Sequence, residues 1–327
     1  MISAFLLCGF LFINFSDNTA EAAAEEKNTV YLGGMPIGII AKSSNFTVID
    51  FVNVITKDGS YSPAQKSGVR KGDVILAVNG QKSTDIESLS ALMSENETAE
   101  LTLRRKGEII KITVKNAEDL RQKGRKVGLI VKNDLSGIGT VTYIEKNGKF
   151  GALGHPIADQ NGNSSMYQTG KVYDCMIYGY KRAENEKAGE LIGQIDTQKQ
   201  LGTFYSNTLS GILGNFYEKP TNGQEIEVAS QSEVKPGKAY VCTTIDGNKP
   251  STYEIEIVKT TQQPEEKEKS MVIRVTDKNL LRTTGGILQG MSGSPIIQEG
   301  KLVGAVTHVL TSDPTLGYGI YIEWMMN

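Results

Sequence analysis

Histidine is scarce in this chain of 327 residues: there are two, His155 and His308. That scarcity argues against an imidazole-built metal centre, and the three cysteines at 8, 175 and 242 lack metal-ligand spacing. No metal and no cofactor are expected. A block of basic residues is missing too. The 35 Lys and Arg stand against 37 Asp and Glu, a net charge of −2 that leaves no electrostatic footprint for nucleic acid. No apolar run is long enough for a confident bilayer span, since the one from Ile2 to Phe15 has the length of a signal peptide. What the chain does have is 35 glycines, 13 tyrosines and many Val/Ile/Thr runs broken by turn residues. These favour a mainly β architecture, and the length suits two domains.

Residues 1–28 read as an export signal or anchor followed by a polar segment. From 29 to 116 the pattern resembles a PDZ domain. Its most specific carrier is the run Ser62-Pro63-Ala64 through Gly68 to Lys71-Gly72-Asp73 and Val74-Ile75-Leu76-Ala77-Val78-Asn79-Gly80. That run predicts a short helix ending at Gly68, a turn, and a strand closed by Asn79-Gly80. A helix is expected over Asp85 to Met93, and a hairpin over Glu100–Arg105 and Glu108–Lys115 turned at Lys106-Gly107. Such domains add a peptide to a sheet edge and hold its terminal carboxylate on backbone donors, expected here at Ile37, Gly38 and Ile39. A purely structural module with an empty groove is the alternative.

Residues 117–327, with a connecting segment over 117–127, read as a second domain of strands broken by glycine. A hairpin over Gly139–Glu145 and Lys149–Ala152 delivers His155 to a strand end beside Pro156, where a general base is commonly held. Further on, Gly290-Met291-Ser292-Gly293-Ser294-Pro295 places Ser292 between glycines. A serine hydroxyl needs a base to take its proton and donors for the oxyanion that forms. Gly290 and Gly293 allow a tight turn that presents the N–H groups of Gly290 and Ser292 to one point. Pro295–Ile297 and Leu302–Val306 about Glu299-Gly300 then read as a hairpin, whereas an α/β-hydrolase elbow needs a helix at that place. Cys175 and Cys242 are left open as a disulfide or as two buried thiols.

With Leu153-Gly154-His155-Pro156-Ile157, Val275-Thr276-Asp277 and Thr284 to Ile297 in view, the chain is similar to the stage IV sporulation protein B peptidases. These are PDZ-containing serine peptidases of endospore-forming bacteria. The resemblance implies a chymotrypsin-like β-barrel peptidase domain after the PDZ domain. It implies His155 as base, Asp277 as the residue that orients it and Ser292 as nucleophile, in the chain order of chymotrypsin, with an oxyanion hole from Gly290 and Ser292. Ser294, His308, Asp159 and Asp313 are the rivals for these roles. The resemblance further implies export to the space between the two spore membranes, with the N-terminal apolar segment as initial tether. It implies cleavage of extracytoplasmic segments of membrane proteins, notably a regulator of an intramembrane protease, as the signal for late sigma-factor processing. Self-cleavage within Asp17–Asn28 would release the enzyme. The rival class is a non-catalytic scaffold that keeps the peptidase fold only to present surfaces.

Overall fold

The computed structural model describes residues 28–326 apart from 123, 160, 161 and 163. The expected signal or anchor, and the proposed self-cleavage segment up to residue 27, lie outside the described residues. No helix among the described residues is long and apolar enough to cross a membrane.

Two closed antiparallel barrels dominate. In the first, Leu129–Ile144 pairs with Lys149–Ala152, then come Gly211–Phe216, Gly189–Thr208, Gly170–Lys181 and Pro36–Phe51, which returns to Leu129–Ile144. In the second, Gly237–Thr243 leads to Ser251–Thr260, Met271–Val275, Leu316–Tyr321, Lys301–Val309 and Pro295–Gln298, which returns to Gly237–Thr243. Closure removes most of the unpaired edges that an open sheet would expose, the stretch of Leu129–Ile144 before Val141 excepted. The strands close because their side chains alternate: Met271, Ile273 and Val275 are buried while Arg274 is exposed. Val141, Phe150, Phe204 and Ile212 fill the first barrel. Ile255, Ile257, Ile273 and Ile296 fill the second. Two parallel contacts tie later segments to them, Glu227–Val228 to Lys301–Leu302 and Gly189–Glu190 to Leu288–Gln289.

The PDZ-type domain is inserted into the first barrel. Strand Pro36–Phe51 pairs with Asp134–Thr140 through its barrel half and with Leu129–Lys132 through its outer half, so one two-stranded ribbon runs from barrel to insert. Phe46, Val48, Ile75, Leu89, Leu101, Leu103 and Val127 share the insert's core. The expected local pieces are present: helices Pro63–Lys66 and Ile86–Ser94, and strands Val74–Val78, Thr98–Arg105 and Glu108–Lys115. Asp85 caps the second helix by accepting the Ser88 N–H at 2.7 Å. Lys106-Gly107 turns its hairpin with both φ values positive, 50° and 90°. Buried Asp73 accepts two hydrogen bonds of 2.7 Å from Arg105, which fixes the Lys71-Gly72-Asp73 turn.

This connectivity moves the expected boundaries. Residues 29–42 serve the first barrel rather than the insert, and Leu129–Lys132 serves the insert. Ile37, Gly38 and Ile39 therefore do not form a carboxylate-binding loop. One edge of this stretch pairs with Gly137–Gly139 and the other with Val172–Asp174, and the Ile37 and Ile39 side chains are buried in the first barrel. Its backbone donors are already spent in two ladders. The groove of the insert lies instead between helix Ile86–Ser94 and Leu129–Val131, a cavity of about 320 Å³.

Candidate active site between the barrels

The first barrel supplies the histidine. After Lys149–Ala152 the chain turns through Leu153 and Gly154, both left-handed, with φ of 72° and 69°. A leucine in that region is strained and needs its surroundings to hold it. Leu153 N–H donates to the Thr140 carbonyl at 3.2 Å. Two residues beyond His155, buried Asn207 clamps Ile157 by accepting its N–H and donating to its carbonyl, both at 2.8 Å. His155 is half-buried, and its Nδ1 lies 3.0 Å from the Pro156 carbonyl. A carbonyl only accepts, so this contact assigns the hydrogen to Nδ1 and leaves Nε2 with the lone pair a general base needs. Burial lowers the His155 pKa below the ordinary imidazole value, with the Pro156 hydrogen bond opposing.

The second barrel supplies the serine. Within the turn, Met291 N–H donates to Leu288, Gly293 N–H to Val306 and Ser294 N–H to Met291. The N–H groups of Gly290 and Ser292 stay outside the turn's own hydrogen bonds, as an oxyanion hole requires. Gly290 and Gly293 have φ of 98° and 94°, and a Cβ on Gly293 would overlap the Thr140 carbonyl. Hairpin Pro295–Gln298 and Lys301–Val309 follows, as expected.

Thr140 and Thr142 pin this turn to the first barrel, a role sequence reasoning missed. Thr140 N–H donates to the Ser292 carbonyl at 2.9 Å and its hydroxyl to the Gly290 carbonyl at 3.0 Å. The Thr142 hydroxyl donates to the Gly293 carbonyl at 2.7 Å. Thr140 thus touches both the Ser292 turn and, through Leu153, the His155 loop. The only signal in sequence was a Thr-x-Thr alternation on a strand, which reads as ordinary β patterning.

His155, His308, Gly290 and Ser292 line one cavity of about 520 Å³ together with Leu135 to Ile138. Ser292 Oγ donates to the Thr307 carbonyl at 2.8 Å rather than to His155. Catalytic hydrogen bonds often form only with substrate bound, so the shared cavity carries more weight than this resting contact. The His155 and His308 rings lie 4.9 Å apart between centroids. Burial first, then His155 and Lys269, push the His308 pKa down to about 4, and its buried Nδ1 has no hydrogen-bond partner among the described residues.

Ser294, Asp313 and Asp277 are engaged by other partners. Ser294 is fully buried and donates to the Thr243 hydroxyl at 2.8 Å, which makes it structural. Asp313 holds its own turn by accepting from Thr315 N–H and hydroxyl. Asp277, expected to orient His155, makes its hydrogen bonds to other groups among the described residues. Its Oδ1 accepts the N–H groups of Asn279 and Leu280, both at 2.9 Å, as the cap of helix Lys278–Thr284, and its Oδ2 faces the Glu254 N–H at 3.4 Å. Asp277 does not line the cavity that holds His155 and Ser292. Cys175 and Cys242 are free and buried. Among the described residues no three His, Cys, Asp or Glu are grouped to hold a metal.

Among solved structures, the chain is similar to the Rv3671c protease in its inactive form, at 13% identity and a TM-score of 0.34 over 59% of this chain and 81% of that one. For the active form from M. tuberculosis the figures are 13% and 0.33 over 60% and 72%. Among curated proteins none matches. A PDZ domain family matches residues 59–105, inside the insert. The SpoIVB peptidase S55 family matches residues 123–326, more than half of the chain. A serine turn from one barrel, a histidine loop from the other and that match agree: the chain belongs to the SpoIVB peptidase S55 family, a family of serine peptidases, and carries a PDZ domain.

Proposed function

We propose that the chain is a serine endopeptidase in which Ser292 attacks the peptide carbonyl and His155 takes its proton and returns it to the leaving amine. The Gly290 and Ser292 N–H groups hold the oxyanion. The observation that carries the reading is that Ser292, in a turn whose own hydrogen bonds leave these two N–H groups out, lines the same cavity as His155. The Pro156 carbonyl does what an orienting carboxylate does elsewhere, fixing the tautomer, although it brings no charge to stabilise the imidazolium. The family resemblance supports a sporulation role: an exported enzyme, between the spore membranes, cutting extracytoplasmic segments of membrane proteins and its own N-terminal segment. A membrane-bound regulator of an intramembrane protease is the substrate this role points to.

A second reading, a non-catalytic scaffold, draws on the Ser292 hydrogen bond to Thr307 in place of His155. One experiment separates the two. Wild-type protein is expected to be labelled by a fluorophosphonate and to cleave casein, and Ser292→Ala to do neither. Wild type inert in both assays would remove the enzymatic reading.

A further inference from the structure

Among the described residues, strand Leu129–Ile144 is paired between Leu129 and Gly139 along one edge only, with Pro36–Phe51. Its partner on the other edge, Lys149–Ala152, begins at Val141, while Thr29–Leu32 continues the Pro36–Phe51 side. Every residue from Leu129 to Ile138 is at least partly exposed. Both ends of this open edge meet a cavity. Leu129 and Val131 line the one beside helix Ile86–Ser94, while Leu135 to Ile138 line the one that holds Ser292 and His155. An unpaired edge of this kind accepts an extended peptide through main-chain hydrogen bonds.

Charge chooses the direction. The cavity at the Leu129 end is lined by Arg121, Arg125 and Lys126 against Asp119, with Glu97 also 3.8 Å from Arg125, which leaves an excess of positive charge. A free carboxylate belongs at that end, where cationic donors give the stronger, charge-assisted hydrogen bonds. A peptide with its C-terminus there runs antiparallel to the strand, and its upstream residues reach Thr140, whose N–H bonds the Ser292 carbonyl.

Resting on the peptidase reading, we propose that a substrate adds as an antiparallel strand along Leu129–Gly139. Its C-terminal carboxylate is held near Arg125 and Lys126 while the bond to be cut lies at Ser292. The enzyme thereby measures distance from a free C-terminus. At ~3.3 Å per residue with one peptide residue opposite each strand residue, the bond cut lies about 9 to 12 residues from the end. The two register shifts, at Ile130/Val131 and at Lys132/Asp134, account for the spread.

The test uses the described chain and fluorogenic peptides that share one cleavable sequence and carry roughly 4, 8, 11 or 16 residues after the bond, lengths that bracket the span. Each is made as free acid and as C-terminal amide. The expected result is a kcat/KM maximum near the 11-residue tail that is lost on amidation and flattened in Arg125→Ala. A flat length profile, or equal turnover of acid and amide, overturns the proposal. Binding in Ser292→Ala gives a readout without catalysis: by fluorescence anisotropy the 11-residue acid is expected to bind at least about tenfold more tightly than its amide, the gain of one charge-assisted contact. Equal affinities overturn the ruler whether or not wild type cleaves. Absence of fluorophosphonate labelling with the affinity difference intact would remove the peptidase reading and leave the strand-addition surface standing.

Discussion

At the residue scale the informative position is Asp277. A carboxylate that orients a catalytic histidine contributes heavily, and its replacement by the amide costs on the order of 10⁴ in turnover where such a triad operates. A carboxylate that caps a helix contributes differently: asparagine caps about as well as aspartate, and alanine costs about 1 kcal/mol. The two short contacts Asp277 makes, both on the first turn of Lys278–Thr284, are those of the second class. Asp277→Asn is therefore expected to keep turnover within a few-fold of wild type, and Asp277→Ala to lower the melting temperature while still labelling with a fluorophosphonate. A collapse of turnover in the folded Asp277→Asn protein would restore Asp277 to the triad. The paired histidines predict a pH effect. The His308 pKa falls from 6.5 in the unfolded chain to about 4 in the folded one. The folded state thus binds fewer protons than the unfolded state between those values, so the stability present above pH 6.5 is lost as pH falls through that window. Melting temperatures of wild type are expected to drop more steeply from pH 7 to 4.5 than those of His308→Gln, which has no imidazole to protonate. Parallel curves would show that burial of this ring carries no such linkage.

At the scale of elements, what was legible was what neighbouring residues encode. Glu299-Gly300, Lys106-Gly107 and Asn79-Gly80 all turn with positive φ, as their spellings required, and the hairpin after Ser292 stands where the sequence put it. The Gly290-Met291-Ser292-Gly293 turn was legible for the same reason, since its glycines do conformational work that no other residue does cheaply. Strand partners are different, because a strand's own pattern does not name them. Ile37 and Ile39 alternate as they would in a peptide-binding strand or in a barrel wall, and only the pairing with both Gly137–Gly139 and Val172–Asp174 decides for the wall. Asp277 carried a cap signal, Asp before Leu280-Leu281, that the sequence reading did not use. Thr140 gave no distinguishing signal, because a residue that holds a turn 150 positions away looks locally like any strand threonine.

At the scale of the molecule, the insertion determines what folds alone. The sequence divides into residues 29–116 and 117–327, but that cut strips the first barrel of Pro36–Phe51 and leaves an open seam between Leu129–Ile144 and Gly170–Lys181. It also removes Ile37, Ile39 and Ala41 from the core they share with Val141, Phe150 and Phe204. Removing large buried aliphatic side chains costs ~2–5 kcal/mol each, and Ile37 with Ile39 alone would take much of the ~5–15 kcal/mol by which a domain is stable. Residues 117–327 by themselves are therefore expected to give neither a cooperative melt nor Ser292 labelling. The complementary excision follows the ribbon. Lys42 and Asp134 are paired across it, so replacing residues 43–133 by Asn-Gly closes the two strands with the two-residue turn their twist favours. That shortened chain keeps both barrels, Thr140 and the Ser292 turn, and is expected to melt cooperatively and label with a fluorophosphonate, without any preference for substrates with a free C-terminus. Cooperative folding and labelling by 117–327 would instead mean that the second domain closes its barrel without the N-terminal strand, and the inserted arrangement would then be wrong.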